Sequence, residues 1–278
     1  MRRVVAALAV AAIACAAPEL RLPNKKDSLR FAVIGDTGTG GRPQYEVAEQ
    51  MAQFHDMLSF DIVLMLGDNL YGGEKPNDFV VKFEKPYEPL LTKGVKFYAT
   101  LGNHDDPNQK SYKNFNMNAQ RYYTFKPRSQ VTFFCLDSNY MNPEQLEWVK
   151  KELSESKSEW KIAFFHHPLY SSGAKHGPED ELRRALEPLF LEHGVSVVFA
   201  GHEHFYERIK PQQGIHYFIE GGSAKLRKGN IRRSEENEKG FDTDNTFMLC
   251  EIDGDELHFQ TITRGGETID SGTVSRRR

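Results

Sequence analysis

Residues 62–71 read IVLMLGDNLY, five apolar residues running straight into Gly67, Asp68, Asn69 and Tyr71. A short apolar run without alternation fits a strand covered on both faces, as in a parallel sheet between helices. A carboxylate, an amide and a phenol at its carboxyl end are costly to desolvate unless something charged compensates them. The same punctuation recurs along the chain. LRFAVIGDTG passes through Asp36, VKFYATLGNHDD reaches Asn103, His104 and Asp105, WKIAFFHHP reaches His166 and His167, and VSVVFAGHEH reaches His202 and His204. In an open α/β sheet, ligands bind outside the carboxyl ends of the strands, so these loops are expected to meet at one edge.

The segments between these runs carry helical patterns. A helix is expected from Tyr45 to Leu58, a second from about Asn77 to Leu91, a third in PEQLEWVKKELSES with Pro143 in its first turn, and a fourth in EDELRRALEPLFLEHG, stopped by Gly194. The last third contains IHYFIEGG, NTFMLCEIDG and ELHFQTIT, strands joined without intervening helices. The pattern predicts an α/β layered core whose second sheet is mostly antiparallel near the C-terminus, in one catalytic domain over residues 28–278.

The chain has 278 residues, 39% hydrophobic and 12% aromatic, an ordinary globular composition. A formal charge of −3 and a pI near 6.4 exclude a surface built to grip nucleic acid. The basic stretch RKGNIRR (227–233) is followed at once by SEENEKG, which reads as a solvated loop or a phosphate-attracting edge. At the N-terminus, two arginines precede an apolar run and then small residues, the layout of a secretory signal over residues 1–17. AIAC (12–15) also resembles a lipoprotein box, with lipid anchoring at Cys15 as the alternative. The expected destination is therefore outside the cytoplasm, secreted or periplasmic, with no integral membrane span once the signal is removed. Cys135 and Cys250 lie in apolar strand-like runs and read as core residues. Whether their strands are adjacent enough for a disulfide is open at this level.

A lone GDTG or HxH is usually a turn or a surface pair. Asp, Asp, Asn, His and His-x-His at five successive strand ends call for metal, because only a charged partner compensates such desolvation. Carboxylates, a carboxamide oxygen and neutral imidazoles suit iron, manganese or zinc, and no thiolate set marks a structural zinc. The number of donors suggests two ions, which need a bridging carboxylate, and Asp68 is the natural bridge.

The set GDTG, GDNLY, GNHD, FFHH and GHEH resembles, in order and spacing, the calcineurin-like metallophosphoesterases and, within them, the purple acid phosphatases. DSNYMNPEQLEWVKKEL and the stretch from SSGAKHGPED to GHEH are similar to the small mammalian-type branch, the tartrate-resistant acid phosphatases. The resemblance implies a layered α-β-β-α sandwich of two mixed sheets flanked by helices. It also implies a ferric ion, Fe(III), held by Asp36, Asp68, Tyr71 and His204, and a divalent ion (iron, zinc or manganese) held by Asp68, Asn103, His166 and His202. Tyr71 distinguishes the purple group, since a phenolate favours ferric iron. The branch carries Tyr where this chain has His167, leaving that residue to contact substrate or to pack.

On this resemblance the protein is an acid phosphatase that cleaves small phosphate monoesters. The two cations clamp the phosphoryl oxygens and acidify a water, and the resulting hydroxide attacks phosphorus in line. His104 is placed to protonate the leaving oxygen, with Asp105 orienting it, and His176 resembles a second substrate histidine. Asn69 is expected to complete the shell around the bridge. A phosphodiesterase or nucleotidase of the same superfamily is the alternative, and a non-catalytic phosphate-binding protein the third reading. His55, His193, His216 and His258 lie outside the motif loops and read as surface or packing residues.

Overall fold

The computed structural model describes residues 19–277; the signal expected at residues 1–17, with Cys15, lies outside them. The first sheet is built around β1 (Leu29–Ile34), β2 (Ile62–Met65) and β3 (Lys96–Ala99), which run parallel. On the other side of β1 it continues antiparallel through β11 (Thr246–Asp253), β12 (Glu256–Thr263) and β13 (Thr268–Ser275). The second sheet has a parallel centre of β5 (Val131–Cys135), β6 (Trp160–Phe165), β7 (Val197–Ala200) and β9 (Ile215–Glu220). Its antiparallel edges are β4 (Tyr123–Arg128) on one side and β8 (Tyr206–Gln212) with β10 (Asn237–Phe241) on the other. The C-terminal antiparallel strands thus do not form a second sheet of their own. They complete both sheets, because each parallel core needs strands to extend its open edge.

The two sheets stack face to face, and aromatic rings fill the seam. Phe31 of β1 meets Phe133 of β5 edge-on at 5.3 Å between ring centroids and Phe199 of β7 at 6.0 Å. Helix α1 (Arg42–Leu58) covers the outer face of the first sheet through Val47, Ala48, Met51, Phe54 and Leu58, which recur at helical spacing and are buried. Outside the second sheet, α4 (Pro143–Glu155) and α5 (Asp180–His193) bury Val149, Leu153, Leu186 and Phe190 against Phe134, Ala163, Phe165 and Val198. The layers run helix, sheet, sheet, helix, as expected.

Helix boundaries differ from the sequence pattern where proline intervenes. The helix expected from Asn77 to Leu91 is α2 (Pro76–Phe79), a π-helical turn over Val80–Glu84, and α3 (Lys85–Leu91). Pro86 and Pro89 cannot donate to the carbonyls four residues before them, so the regular ladder gives way there. Strands β4, β8, β10 and β13 carry no apolar signature. β4 contains Pro127 and β10 contains Gly240, and both lie at sheet edges where missing ladder bonds are tolerated. Cys135 on β5 and Cys250 on β11 sit in different sheets as buried free thiols, so they do not pair.

No described helix is long and apolar enough to cross a membrane. Phe31→Ala opens a cavity between the sheets and is expected to lower stability by about 3–5 kcal/mol, read from the urea midpoint. A loss below about 1 kcal/mol would show that the seam does not carry the packing assigned to it.

Candidate metal centre

The loops after β1, β2, β3, β6 and β7 bring their polar residues to one edge. Three of those residues, Asp36, Asp68 and His202, have left-handed backbones with φ of 54°, 51° and 69°. Side chains rarely accept that region, and it persists where surrounding bonds impose it. The His202 amide donates to Asp36 Oδ2 at 2.8 Å, and the His104 amide donates to Asp68 Oδ1 at 2.9 Å. Glycine clears the approach. A Cβ on Gly102 would fall 2.2 Å from Asp68 Oδ1, and one on Gly67 would fall 2.7 Å from His166 Nδ1.

Two clusters of donor atoms result. In the first, the Tyr71 hydroxyl lies 2.9 Å from Asp36 Oδ1, 2.7 Å from Asp68 Oδ2 and 3.4 Å from His204 Nε2, while His204 Nε2 lies 3.3 Å from Asp36 Oδ1. In the second, Asn103 Oδ1 lies 3.0 Å from both His166 Nε2 and His202 Nδ1, which are 3.1 Å apart. Donors at right angles around an ion with bonds of about 2.1 Å stand about 3.0 Å from one another, so this trio has the spacing of one face of an octahedron. Asp68 joins the clusters: Oδ2 faces Tyr71, and Oδ1 lies 3.5 Å from His166 Nε2.

The electrostatics point the same way. Burial, with the Asp68 charge adding to it, pushes Asp36 up to about 8, and Tyr71 is driven well above the ordinary phenol by burial and the two carboxylates. Burial also acts on Asp68, but the His166 imidazole and the hydrogen bonds from the His104 amide and the Tyr71 hydroxyl outweigh it and hold its carboxyl below the usual range. Burial and neighbouring cations hold His204 down to about 4, and burial with the surrounding imidazoles holds His202 far below its usual value. Neutral imidazoles beside crowded acids are a donor set competent for cations, so the residues present fit two metal ions.

The remaining predicted residues fall in distinct places. His104 is exposed on the rim, its ring 5.1 Å from that of Tyr71, and the exposed His176 ring lies 4.3 Å from that of His202. His167 packs its ring 4.5 Å from His202 and is pushed down to about 3 by burial and His166. Asp105 does not orient the His104 ring. Its half-buried carboxylate accepts from the amides of Asn69, Leu70 and Gly102 and from Gln109 Nε2, tying the β2 and β3 loops together. Asn69 likewise turns inward, donating through Nδ2 to Thr100 O at 2.8 Å and to Asp105 at 3.0 Å, so it braces the loop behind the bridge.

Other parts of the site had no role assigned from the sequence. Buried Glu203, between the two histidines of GHEH, accepts from the Gly177 amide at 2.7 Å and Asn230 Nδ2 at 3.0 Å, and so ties down the His176 loop. Lys225, in the GGSAK loop, places its ammonium 4.3 Å from the Tyr71 ring centre. A cavity of about 440 Å³ borders the second cluster through Asn103 and His167, and its far wall is Arg121, Asn139, Tyr140 and Glu179. Arg121 stacks over Tyr140 at 4.5 Å and donates through Nε to Asp137 at 2.6 Å.

Strand-end carboxylates and histidines gathered at the seam of a two-sheet sandwich define a metal-dependent phosphoesterase site. The chain belongs to the calcineurin-like phosphoesterase family, whose model matches residues 29–206. It is similar to the tartrate-resistant acid phosphatase type 5 of Rattus norvegicus, 26% identical over 300 residues, covering 90% of this chain and 91% of that protein. Among solved structures, the purple acid phosphatase PPD1 from yellow lupin (Lupinus luteus) seeds shares its fold at a TM-score of 0.73 and 20% identity, covering 92% of this chain and 55% of that one. GAP50, described as the anchor in the inner membrane complex of Plasmodium, shares it at 0.78 and 21% identity over 90% of both chains.

Buried Glu220, beside this centre, supplies a pH test. Burial raises it from 4.5 to about 8, against the hydrogen bonds it accepts from Thr246 and Ser223 and with the Asp36 charge adding to the rise. A raised carboxyl favours the protonated folded state, so its contribution is complete below the unfolded value near 4.5 and is lost as pH climbs toward about 8. In chelator-stripped protein, Glu220→Gln should therefore flatten the fall in stability across that window by about 1 kcal/mol or more, measured by urea unfolding at successive pH values. A variant with the wild-type slope would contradict it.

Proposed function

We propose that the protein is an exported acid phosphatase hydrolysing small phosphate monoesters at a binuclear metal centre. The observation that carries this reading is the pair of donor clusters joined by Asp68, each of whose oxygens faces one cluster. Asp36, Asp68, Tyr71 and His204 would hold one ion and Asp68, Asn103, His166 and His202 the other. Tyr71 favours Fe(III) in the first place, because its phenol loses a proton beside two carboxylates only to a strongly charged cation. The second place suits divalent iron, zinc or manganese. The likeness to a tartrate-resistant acid phosphatase over nine-tenths of both chains supports the substrate class. The arginine-led apolar run in residues 1–17 supports export.

When bound, the ions neutralise phosphoryl charge and acidify a water. The chain supplies the rest. Asp68 fixes the spacing of the two clusters, and Asp105 and Glu203 hold the loops that carry Asn103 and His176. His104, on the rim beside Tyr71, hands a proton to the leaving oxygen, and His176 takes a phosphoryl oxygen. The cavity bounded by Arg121 and Tyr140 gives the leaving group room beside Asn103.

The first experiment compares p-nitrophenyl phosphate with bis-p-nitrophenyl phosphate on metal-reconstituted protein from acid to neutral pH. Preference for the monoester with an acid-side optimum is expected, and Asp68→Asn should abolish turnover with the circular dichroism spectrum retained. Preference for the diester would move the protein to the phosphodiesterase branch, and no turnover of either would make it a binding protein. His104→Gln should cost about 10²–10⁴-fold in kcat for an alkyl phosphate and much less for the nitrophenyl ester, whose leaving group needs little protonation. Equal losses on both substrates would remove His104 from the acid role.

A further inference from the structure

His167 lies against the second cluster without a part in the ligand set above. One nitrogen each from His166, His167 and His202 falls within 4.8 Å of the others, and the His167 ring stands 4.9 Å from that of His166 and 4.5 Å from that of His202. Its other nitrogen is occupied. Nδ1 lies 2.9 Å from the Ser138 hydroxyl, and the same hydroxyl accepts the His167 backbone amide at 3.0 Å. With Nδ1 engaged by Ser138, Nε2 is the nitrogen left to bind a metal, and a histidine held in this way by a hydrogen bond at its other nitrogen is the usual arrangement of a metal ligand.

We infer that His167 is a third imidazole ligand of the second ion, joining His166 and His202 through Nε2; this rests on the binuclear reading above. With bonds of about 2.1 Å, donors on one ion stand about 3.0 Å apart at right angles and about 4.2 Å apart when opposite, so nitrogens within 4.8 Å of one another close on one ion with a side-chain movement of under about 2 Å. Consecutive histidines reach one ion because the chain leaves its strand at this point: β6 ends at Phe165, so the alternation that would send neighbouring side chains to opposite faces no longer applies. A nitrogen-rich second place selects zinc or divalent iron over manganese, which prefers oxygen donors. The first cluster, with three oxygen donors and one nitrogen, is left unchanged by this assignment.

The full chain is stripped of metal and titrated with zinc against a chromophoric chelator, and in parallel loaded with cobalt(II) for its visible spectrum. In His167→Phe, one of the two zinc ions should bind about 10- to 100-fold more weakly with the other unaffected, and the cobalt d–d bands should change shape. His167→Gln, a smaller neutral polar replacement, is measured the same way should the phenylalanine variant fail to fold. Unchanged affinities and an unchanged cobalt spectrum in a folded variant overturn the inference, and with a raised KM they make His167 a substrate contact while leaving the binuclear reading intact. A wild-type protein that takes up fewer than two zinc ions overturns both.

Discussion

Two carboxylates and a phenol converge at hydrogen-bond distance in the interior, and everything near them answers to that crowding. Asp36 and Asp68, both buried, reach the oxygen of half-buried Tyr71 at 2.9 and 2.7 Å. Negative charge this dense cannot be sustained by hydrogen bonding alone, since burial favours the neutral form of each group. Cations resolve the conflict, and the imidazoles of His202 and His204 are kept uncharged enough to help bind them rather than to compete with them.

The scaffold around the donors is correspondingly overdetermined. Asp105 gathers amides from both the β2 and β3 loops, and Glu203 reaches across to Gly177 and Asn230. The site's precision thus comes from carboxylates whose hydrogen bonds go to the surrounding loops. The left-handed backbone at His202 turns its amide onto Asp36, and the carboxylate of left-handed Asp68 accepts the His104 amide.

Most of the fold was legible because the parallel strands are unbroken apolar runs ending on polar residues, a pattern few other structures produce. The donor residues were legible for the same reason, each sitting at a strand end. Edge strands such as β4 and β10 were not, because Pro127 and Gly240 erase the alternation by which strands are recognised. Nor were the roles of Asp105, Asn69 and Glu203, whose bonds depend on loops that meet only in three dimensions. Sequence adjacency placed Asp105 beside His104, whereas in space it faces the backbone of the preceding loop. The cavity wall of Arg121 and Tyr140 was hidden likewise, since its residues come from segments with no shared pattern.

The centre also spans the boundary between the two sheets. Asp36, Asp68 and Asn103 follow strands of the first sheet, while His166, His202 and His204 follow strands of the second, and His166 Nδ1 sits 2.8 Å from Leu66 O on the opposite sheet. Neither sheet alone supplies all the donors proposed for either ion. The donor spacings therefore act as a vernier on how the sheets slide past one another, and a small slip along the aromatic seam would misalign the set before any strand came apart. Mutations far from the centre that loosen this seam would thus surface as altered metal occupancy in a protein that still looks folded.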